Sequence, residues 1–190
     1  MGGWQLDGES IAAIIAGTHH DAFSVLGLQE SGLHQHAEKF IARVFAPYAS
    51  ELVALDEEGN EFATLKLRDK AGFFEGLVPL KARRAMRYRA SNSSGVWEFV
   101  DPFSFGPVLG PMDDYYFAEG THLRLFDKLG AHAMEFEGVF GVHFAVWAPN
   151  AKRVSVVGDF NNWDGRRYPM RFRGDSGVWE IFLPELAAGA

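Results

Sequence analysis

The stretch VFAPYASELVAL at residues 44–55 has a second copy in the chain, VWAPNAKRVSVV at residues 146–157. Four of the twelve positions are identical, and Phe45/Trp147 and Leu52/Val154 are conservative exchanges. GFFEGLVP at residues 72–79 pairs in the same way with GVWEIFLP at residues 177–184. A repeat of about 100 residues is too long for one solenoid unit, so it predicts two copies of one small domain.

The composition excludes several classes of function. The chain has 190 residues, 47% of them hydrophobic, and a net charge of −7 without a cluster of basic residues, which argues against nucleic-acid binding. No stretch of about 18 apolar residues is present, so no membrane span is predicted. The absence of cysteine rules out disulfides and thiolate chemistry. The expected location is the cytoplasm.

One helix and many short strands are predicted. Residues 7–16 place Ile11, Ile14 and Ile15 at helical spacing, Ser10 can cap the helix, and Gly17 ends it. Short β-prone runs such as FIARVFA, ELVAL, ATLKL and VWEFV follow, separated by turn sequences. The pattern predicts an all-β fold of two tandem immunoglobulin-like β-sandwich modules with a short N-terminal helix.

Four segments are predicted along the chain. Residues 1–27 form the helix and a lead-in segment, 28–107 the first sandwich, 108–138 a linker or connector that is irregular from residue 115, and 139–190 the second sandwich. The second strand set is expected to begin at Val142. Counterparts of MRYRA and VWEFV are missing from the second copy. An incomplete second sandwich is therefore predicted, with an exposed edge that makes it marginally stable or leads it to pair with another chain.

The sequence GDFNNWDG at residues 158–165 is the candidate binding loop, because the first copy has DEEGN there. Asn161–Asn162 and Asp164–Gly165 favour tight turns, which would hold Trp163 between strands. An indole beside amide and carboxylate groups suits a sugar, whose C–H faces stack on the ring. Packing of Trp163 into the sandwich is an equal alternative, and Phe160 is expected in the core.

The other aromatic and titratable residues point to structure. Trp97, Trp147 and Trp179 lie in strand runs and are predicted core residues. His34 and His36 alternate along a strand pattern, but no third ligand follows at a metal-binding spacing. The sequence therefore predicts no metal site, no cofactor and no catalytic constellation.

Six motifs along the chain point to one family: HHDAFSVLG (19–27), GFFEGLVP, DPFSFGP (101–107), EGTHLRLFDKLGAH (119–132), VWAPNAKRVSVVGDFNNWDGRRYPMR (146–171) and SGVWEIFLP. Through these motifs the chain resembles the N-terminal region of bacterial 1,4-α-glucan (glycogen) branching enzymes. The WAPNA and GDFNNWDG motifs also occur in other starch- and glycogen-associated modules. Tandem modules joined by EGTHLRLFDKLGAH are particular to branching enzymes.

The resemblance implies a parent glycosyltransferase of the α-amylase superfamily that transfers α-1,4-glucan chains to α-1,6 branch points in glycogen biosynthesis. Its catalytic barrel has no counterpart in this sequence, so this chain is expected to be inactive alone. The family's sugar platform maps to Trp163, and the expected partners are α-1,4-glucan or glycogen and the missing barrel. Three alternatives stay open: a stand-alone glycan-binding module, a structural immunoglobulin-like module in which Trp163 is buried, and the N-terminus of a debranching enzyme.

Overall fold

The computed structural model describes residues 4–30 and 40–187, and the predicted pair His34/His36 lies outside this part. The chain divides into two compact units. The first consists of residues 1–19 and 23–104, and the second of residues 20–22 and 105–190.

The described elements are mostly antiparallel strands, which confirms the predicted all-β fold. In chain order they are α1 (Gly8–Ala16), β1 (Gly27–Glu30), β2 (Phe40–Phe45), β3 (Glu51–Leu55), β4 (Glu61–Asp69), β5 (Phe73–Val78), β6 (Arg87–Asn92), β7 (Gly95–Val100), α2 (Pro111–Glu119), β8 (Gly130–Phe136), β9 (Val139–Trp147), β10 (Arg171–Phe172) and β11 (Val178–Pro184).

The predicted N-terminal helix is confirmed, but its cap differs. Asp7, rather than Ser10, is the N-cap: its carboxylate accepts hydrogen bonds from the backbone N–H and the hydroxyl of Ser10, both at 2.8 Å. Ile11 and Ile14 are buried, and Gly17 ends the helix in the left-handed conformation.

The first unit holds a seven-stranded antiparallel sheet in the order β1-β2-β5-β4-β3-β6-β7. The long strand β4 pairs with β3 through its first half and with β5 through its second half, and a register shift follows Leu67. The sheet can therefore fold over through β4 and bury one continuous core. That core includes Leu28, Phe40, Val44, Leu52, Leu65, Phe74, Met86 and Tyr88.

The second unit holds a four-stranded antiparallel sheet in the order β10-β11-β9-β8. The expectation that the segment after residue 115 is irregular is wrong, because residues 111–119 form α2 and residues 130–136 form β8. The strand set thus begins at Gly130 instead of Val142. Residues 153–157, which match β3 in the first copy, form only an isolated bridge between Ser155 and Pro169. The domain boundaries predicted at residues 27, 107 and 138 stay predictions.

The structure reveals that the repeat is longer than the two matching stretches. Helices α1 and α2 both have nine residues and are followed by GTHHDAFSVLG (17–27) and GTHLRLFDKLG (120–130), which share six of eleven positions. Gly17 and Gly120 both end their helix in the left-handed conformation. In each copy a 3-10 turn and then a strand beginning at glycine follow. The supposed connector is therefore the second copy of the N-terminal helix and lead-in segment.

Strand pairing follows the same correspondence. Phe45 pairs with Phe73 across β2 and β5, and the matching residues Trp147 and Val178 pair across β9 and β11. Both copies thus use one register for their central strands, although few of the residues are identical.

A buried glutamate occupies the same place in both copies. Glu75 on β5 accepts a hydrogen bond from the backbone N–H of Leu6 (2.9 Å) and is paired with Arg43 (2.8 Å) and Arg68. Arg68 also donates to the Leu6 carbonyl oxygen. The glutamate and its arginines thereby fix the segment that precedes α1.

The second copy repeats this arrangement around Glu180 on β11. Its carboxylate accepts from the backbone N–H groups of Val108 (3.1 Å) and Leu109 (3.0 Å). Arg173 lies 3.4 Å from this carboxylate and donates to the Leu109 carbonyl oxygen. We refer to Glu75 with Arg68, and to Glu180 with Arg173, as the two glutamate clamps.

Candidate functional site

The predicted loop at residues 158–165 follows the isolated bridge at Ser155 and contains a 3-10 turn over Asp159–Asn161. Asn162 and Trp163 then both have φ of 55°. A bulky residue such as tryptophan rarely takes this left-handed backbone conformation, and it persists only where surrounding contacts enforce it. Backbone strain at Trp163 therefore marks the loop as a candidate site.

Asn161 supplies those contacts. Its side-chain oxygen accepts from the Gly158 N–H (3.0 Å), and its amide donates to the carbonyl oxygens of Val156 (3.0 Å) and Asp164 (3.4 Å). The residue is 0% exposed. The polar atoms of the Asn161 side chain are therefore bonded to the backbone of the loop and of the segment just before it, and the side chain has no surface to offer a ligand.

Trp163 projects from this loop with 67% of its surface exposed. Its backbone N–H donates to the Gly158 carbonyl oxygen (3.0 Å), and its indole N–H donates to the carboxylate of Asp159 (2.9 Å). The ring is thus held at its nitrogen edge while much of its surface is open. Reasoning from sequence had missed Asp159, although its spacing of four residues from Trp163 is visible there.

Asp164 and Asn162 are the neighbours of Trp163 in the sequence. Asp164 makes a two-point ion pair with Arg166 (2.9 and 2.7 Å) and accepts from the Arg166 N–H (3.0 Å). These hydrogen bonds from Arg166 lower the pKa of Asp164, so its carboxylate stays ionised. Asn162 is exposed. Of the four predicted site residues, Trp163 and Asn162 present the most surface.

Phe160 is half-buried below the loop rather than fully inside a core. Its ring stacks on Tyr168 at a centroid distance of 6.1 Å, and the Arg167 guanidinium lies 5.5 Å from the centre of the Tyr168 ring. Phe160 therefore links the loop to the segment that follows it.

A second candidate feature of this unit is an apolar cleft of about 270 Å³. Its lining consists of Tyr116, Phe117, Gly120, His122, Leu125, Leu129 and Trp147. The His122 ring has hydrogen-bond partners at both nitrogens, Asp113 at Nε2 (3.3 Å) and the Arg124 N–H at Nδ1 (3.3 Å). The cleft therefore offers mainly apolar surface.

The tryptophans predicted as core residues differ in exposure. Trp179 is buried, and Trp97 packs half-buried against the core of the first unit. The prediction for Trp147 is wrong, because 58% of its surface is exposed. It is the last residue of β9, and its ring lines the cleft, whereas Ala145 two residues earlier packs in the core with Phe117 and Val178.

Within residues 4–30 and 40–187 no three histidine, aspartate or glutamate side chains are grouped to hold a metal ion. In the same part of the chain neither helix has the length and apolar character that crossing a membrane requires.

Comparison with known families matches the two copies separately. Residues 7–103 match the family model "alpha-1,4-glucan branching enzyme GlgB, N-terminal domain". Residues 128–190 match "Carbohydrate-binding module 48 (Isoamylase N-terminal domain)", and this match includes the Trp163 loop.

Three similar proteins share one name. The 1,4-alpha-glucan branching enzyme GlgB of Mesorhizobium japonicum is 60% identical over 94% of this chain, and that of Rhizobium meliloti is 55% identical over 97%. The enzyme of the same name from Cereibacter sphaeroides is 49% identical over 94%. In each case the chain spans 24% of the relative's length. Because the first family model covers just over half of the residues, the chain belongs to the family of GlgB branching-enzyme N-terminal domains.

Proposed function

We propose that this chain is the non-catalytic N-terminal part of a glycogen branching enzyme and that its Trp163 loop binds α-1,4-glucan. The parent enzyme would be a 1,4-α-glucan branching enzyme, the name that the relatives carry. The family resemblance implies that it transfers α-1,4-glucan chains to α-1,6 branch points. The observation that carries the proposal is the exposed indole of Trp163 on a loop of fixed backbone, within the residues that match a carbohydrate-binding module.

In this proposal the loop residues have different roles. The open indole surface stacks on the apolar face of a glucose ring, as amphipathic aromatic side chains do. Asn162 is exposed beside it and can exchange hydrogen bonds with sugar hydroxyls. Asn161 is a positioning residue, and Asp164 holds Arg166 through a two-point ion pair.

Isothermal titration calorimetry with maltoheptaose tests this role. We expect Trp163→Ala to weaken binding at least about tenfold, or roughly 1.4 kcal/mol. Trp147→Ala is the matched control, because it removes another exposed tryptophan of the same unit. Equal affinity of the chain and of its Trp163→Ala variant would contradict the proposal.

The structural alternative makes a different prediction for the same variant. If Trp163 were a buried core aromatic, its removal would destabilise the fold by about 3–5 kcal/mol. With 67% of its surface exposed, we expect the free energy of unfolding to change by less than about 1 kcal/mol. Urea denaturation of the variant distinguishes the two readings.

The catalytic part of the proposal has its own test. Incubating the chain with amylose should create no new branch points, and any transfer would contradict the proposal. A hybrid enzyme, in which this chain replaces the matching quarter of the Mesorhizobium japonicum relative, should form branches. A hybrid that only removes branches would instead favour a debranching enzyme.

We also propose that the apolar cleft packs against the remaining polypeptide of the branching enzyme, its catalytic barrel. Exposed aromatic side chains around an apolar depression are typical of protein interfaces. Trp147→Ser should therefore lower the thermal midpoint of the hybrid enzyme more than that of the isolated chain. Equal shifts would argue against this interface. The cytoplasmic location stays a prediction from the sequence.

A further inference from the structure

The carboxylate of Asp159 makes a specific contact with the candidate sugar platform. Asp159 opens the 3-10 turn Asp159–Asn161, and one of its oxygens accepts the indole N–H of Trp163 at 2.9 Å. At the start of this turn the Gly158 N–H is capped by the side-chain oxygen of Asn161, so the Asp159 carboxylate is not the cap of the turn. In the described part of the chain, this carboxylate accepts its side-chain hydrogen bond from the indole N–H.

Two separate groups of contacts therefore define the position of Trp163. Asn161 and the Gly158 carbonyl oxygen fix the backbone, as described above. These contacts leave the rotation of the side chain about its own bonds free. The hydrogen bond to Asp159 fixes that rotation, because it ties the ring nitrogen to a carboxylate four residues earlier.

The hydrogen bond between Asp159 and Trp163 contributes little to the stability of the fold. Asp159 is exposed and Trp163 is 67% exposed, and hydrogen bonds or ion pairs at such surface positions contribute little to stability. For a ligand the contact matters more, because a ring already held in one orientation loses less freedom on binding. The indole N–H is also occupied, so the ring is left to act through stacking.

We propose that Asp159 is a positioning residue of the glucan-binding loop, which holds the Trp163 indole ready to stack on a sugar. This inference rests on the proposed glucan binding. The amide oxygen of asparagine can accept the same hydrogen bond, whereas alanine cannot. Asp159→Asn and Asp159→Ala therefore separate loss of the acceptor from loss of the charge.

The experiment combines calorimetry with fluorine NMR of the chain labelled with 5-fluorotryptophan. The chain has five tryptophans, and Trp163→Phe identifies the resonance of Trp163. We expect Asp159→Ala to shift this resonance and to weaken maltoheptaose binding about fivefold. Asp159→Asn should restore most of the affinity. The exposed Asp175, also in a 3-10 turn of this unit, provides the control variant Asp175→Ala, with no effect expected.

The outcomes separate the two proposals. Wild-type affinity in Asp159→Ala, together with lost affinity in Trp163→Ala, overturns the role of Asp159 and leaves glucan binding intact. Equal loss in Asp159→Ala and Asp159→Asn overturns it as well. If the unchanged chain does not bind maltoheptaose, glucan binding fails. In that case the fluorine spectrum still tests the role of Asp159. If the Trp163 resonance does not move in Asp159→Ala, Asp159 does not position the ring; if it moves, positioning of the ring is supported.

Discussion

The two glutamate clamps share one geometry but differ in their partners. In the first copy Glu75 meets two guanidinium groups, those of Arg43 and Arg68. In the second copy Ala145 stands in the place of Arg43, and Glu180 instead meets the His143 ring at 3.0 Å and two backbone N–H groups. The first clamp is a buried ionic cluster, and the second depends more on hydrogen bonds. What the repeat preserves is the attachment of the segment before each helix.

The largest expected loss of stability comes from removing the glutamate of the first clamp. Glu75→Ala removes the carboxylate and leaves two nearly buried guanidinium groups without their anion, which costs about 3–5 kcal/mol of stability. Glu180→Ala leaves one guanidinium and groups of lower charge, so we expect a smaller loss of about 2–3 kcal/mol. Urea denaturation measures both losses, and the reverse order would contradict the comparison.

Asp101 provides a pH-dependent difference between the copies. It is buried in the first unit, and burial raises its pKa to about 7. In the unfolded state this carboxyl group loses its proton near pH 4, whereas in the folded state it keeps the proton up to about pH 7. The contribution of Asp101 to the free energy of unfolding therefore falls as pH rises from about 4 to 7 and is constant above that range. The total loss is on the order of 4 kcal/mol.

Hydrogen exchange at several pH values checks this prediction for each unit separately. Asp101→Asn cannot ionise, so the decline between pH 4 and 7 should be smaller in the first unit of the variant. A decline of equal size in the variant would show that Asp101 is not its cause.

Replacing the glycine that ends either helix by alanine should reduce stability by the same amount. Gly17 and Gly120 have φ of 67° and 69°, and a Cβ at Gly120 would meet no atom within 4 Å. Gly120→Ala should therefore cost only the backbone strain of a left-handed residue, about 1–2 kcal/mol. Gly17→Ala should cost a similar amount if the ends are true counterparts. Thermal unfolding of both variants measures the costs, and a clearly larger one at either helix would show that the ends are not alike.

The smallest expected change in stability comes from replacing residues of the cleft by those at the matching positions of the first copy. Trp147→Phe and Tyr116→Ala introduce the residues that stand at the matching positions, Phe45 and Ala13. Both side chains are at least 40% exposed, so stability should change by less than about 1 kcal/mol. Binding of a hydrophobic dye should fall, because the cleft loses apolar surface. Unchanged dye binding would show that the cleft is not the apolar surface of this unit.

Sequence reasoning succeeded where one pattern determines one structure. The isoleucines of α1 have clear helical spacing, and β2 and β5 are short runs of β-prone residues that are buried almost throughout. Helix α2 was missed because its sequence PMDDYYFAE buries only Phe117 among its residues and has no apolar stripe. The match between GTHHDAFSVLG and GTHLRLFDKLG contained the missing information.

The loop was predicted only in part, for a different reason. Adjacent asparagines indicated a tight turn, but the sequence does not say which amide faces inward. Asn161 is buried, and its amide donates hydrogen bonds to Val156, five residues earlier, and to Asp164, contacts that exist only once the loop has closed. The ring of Trp163 then faces outward because the backbone takes a conformation that its residue type disfavours.

The second clamp also determines which fragment of this chain can be fused to another protein with its contacts intact. A fragment that starts at residue 139 would leave out Val108, Leu109, α2 and β8, and with them two hydrogen bonds to Glu180 and one edge of the sheet. A fragment that starts at Phe105 keeps these groups with the Trp163 loop. A transplantable fragment that carries the proposed sugar-binding loop therefore begins 25 residues before its first strand, β8, and far upstream of the loop sequence itself.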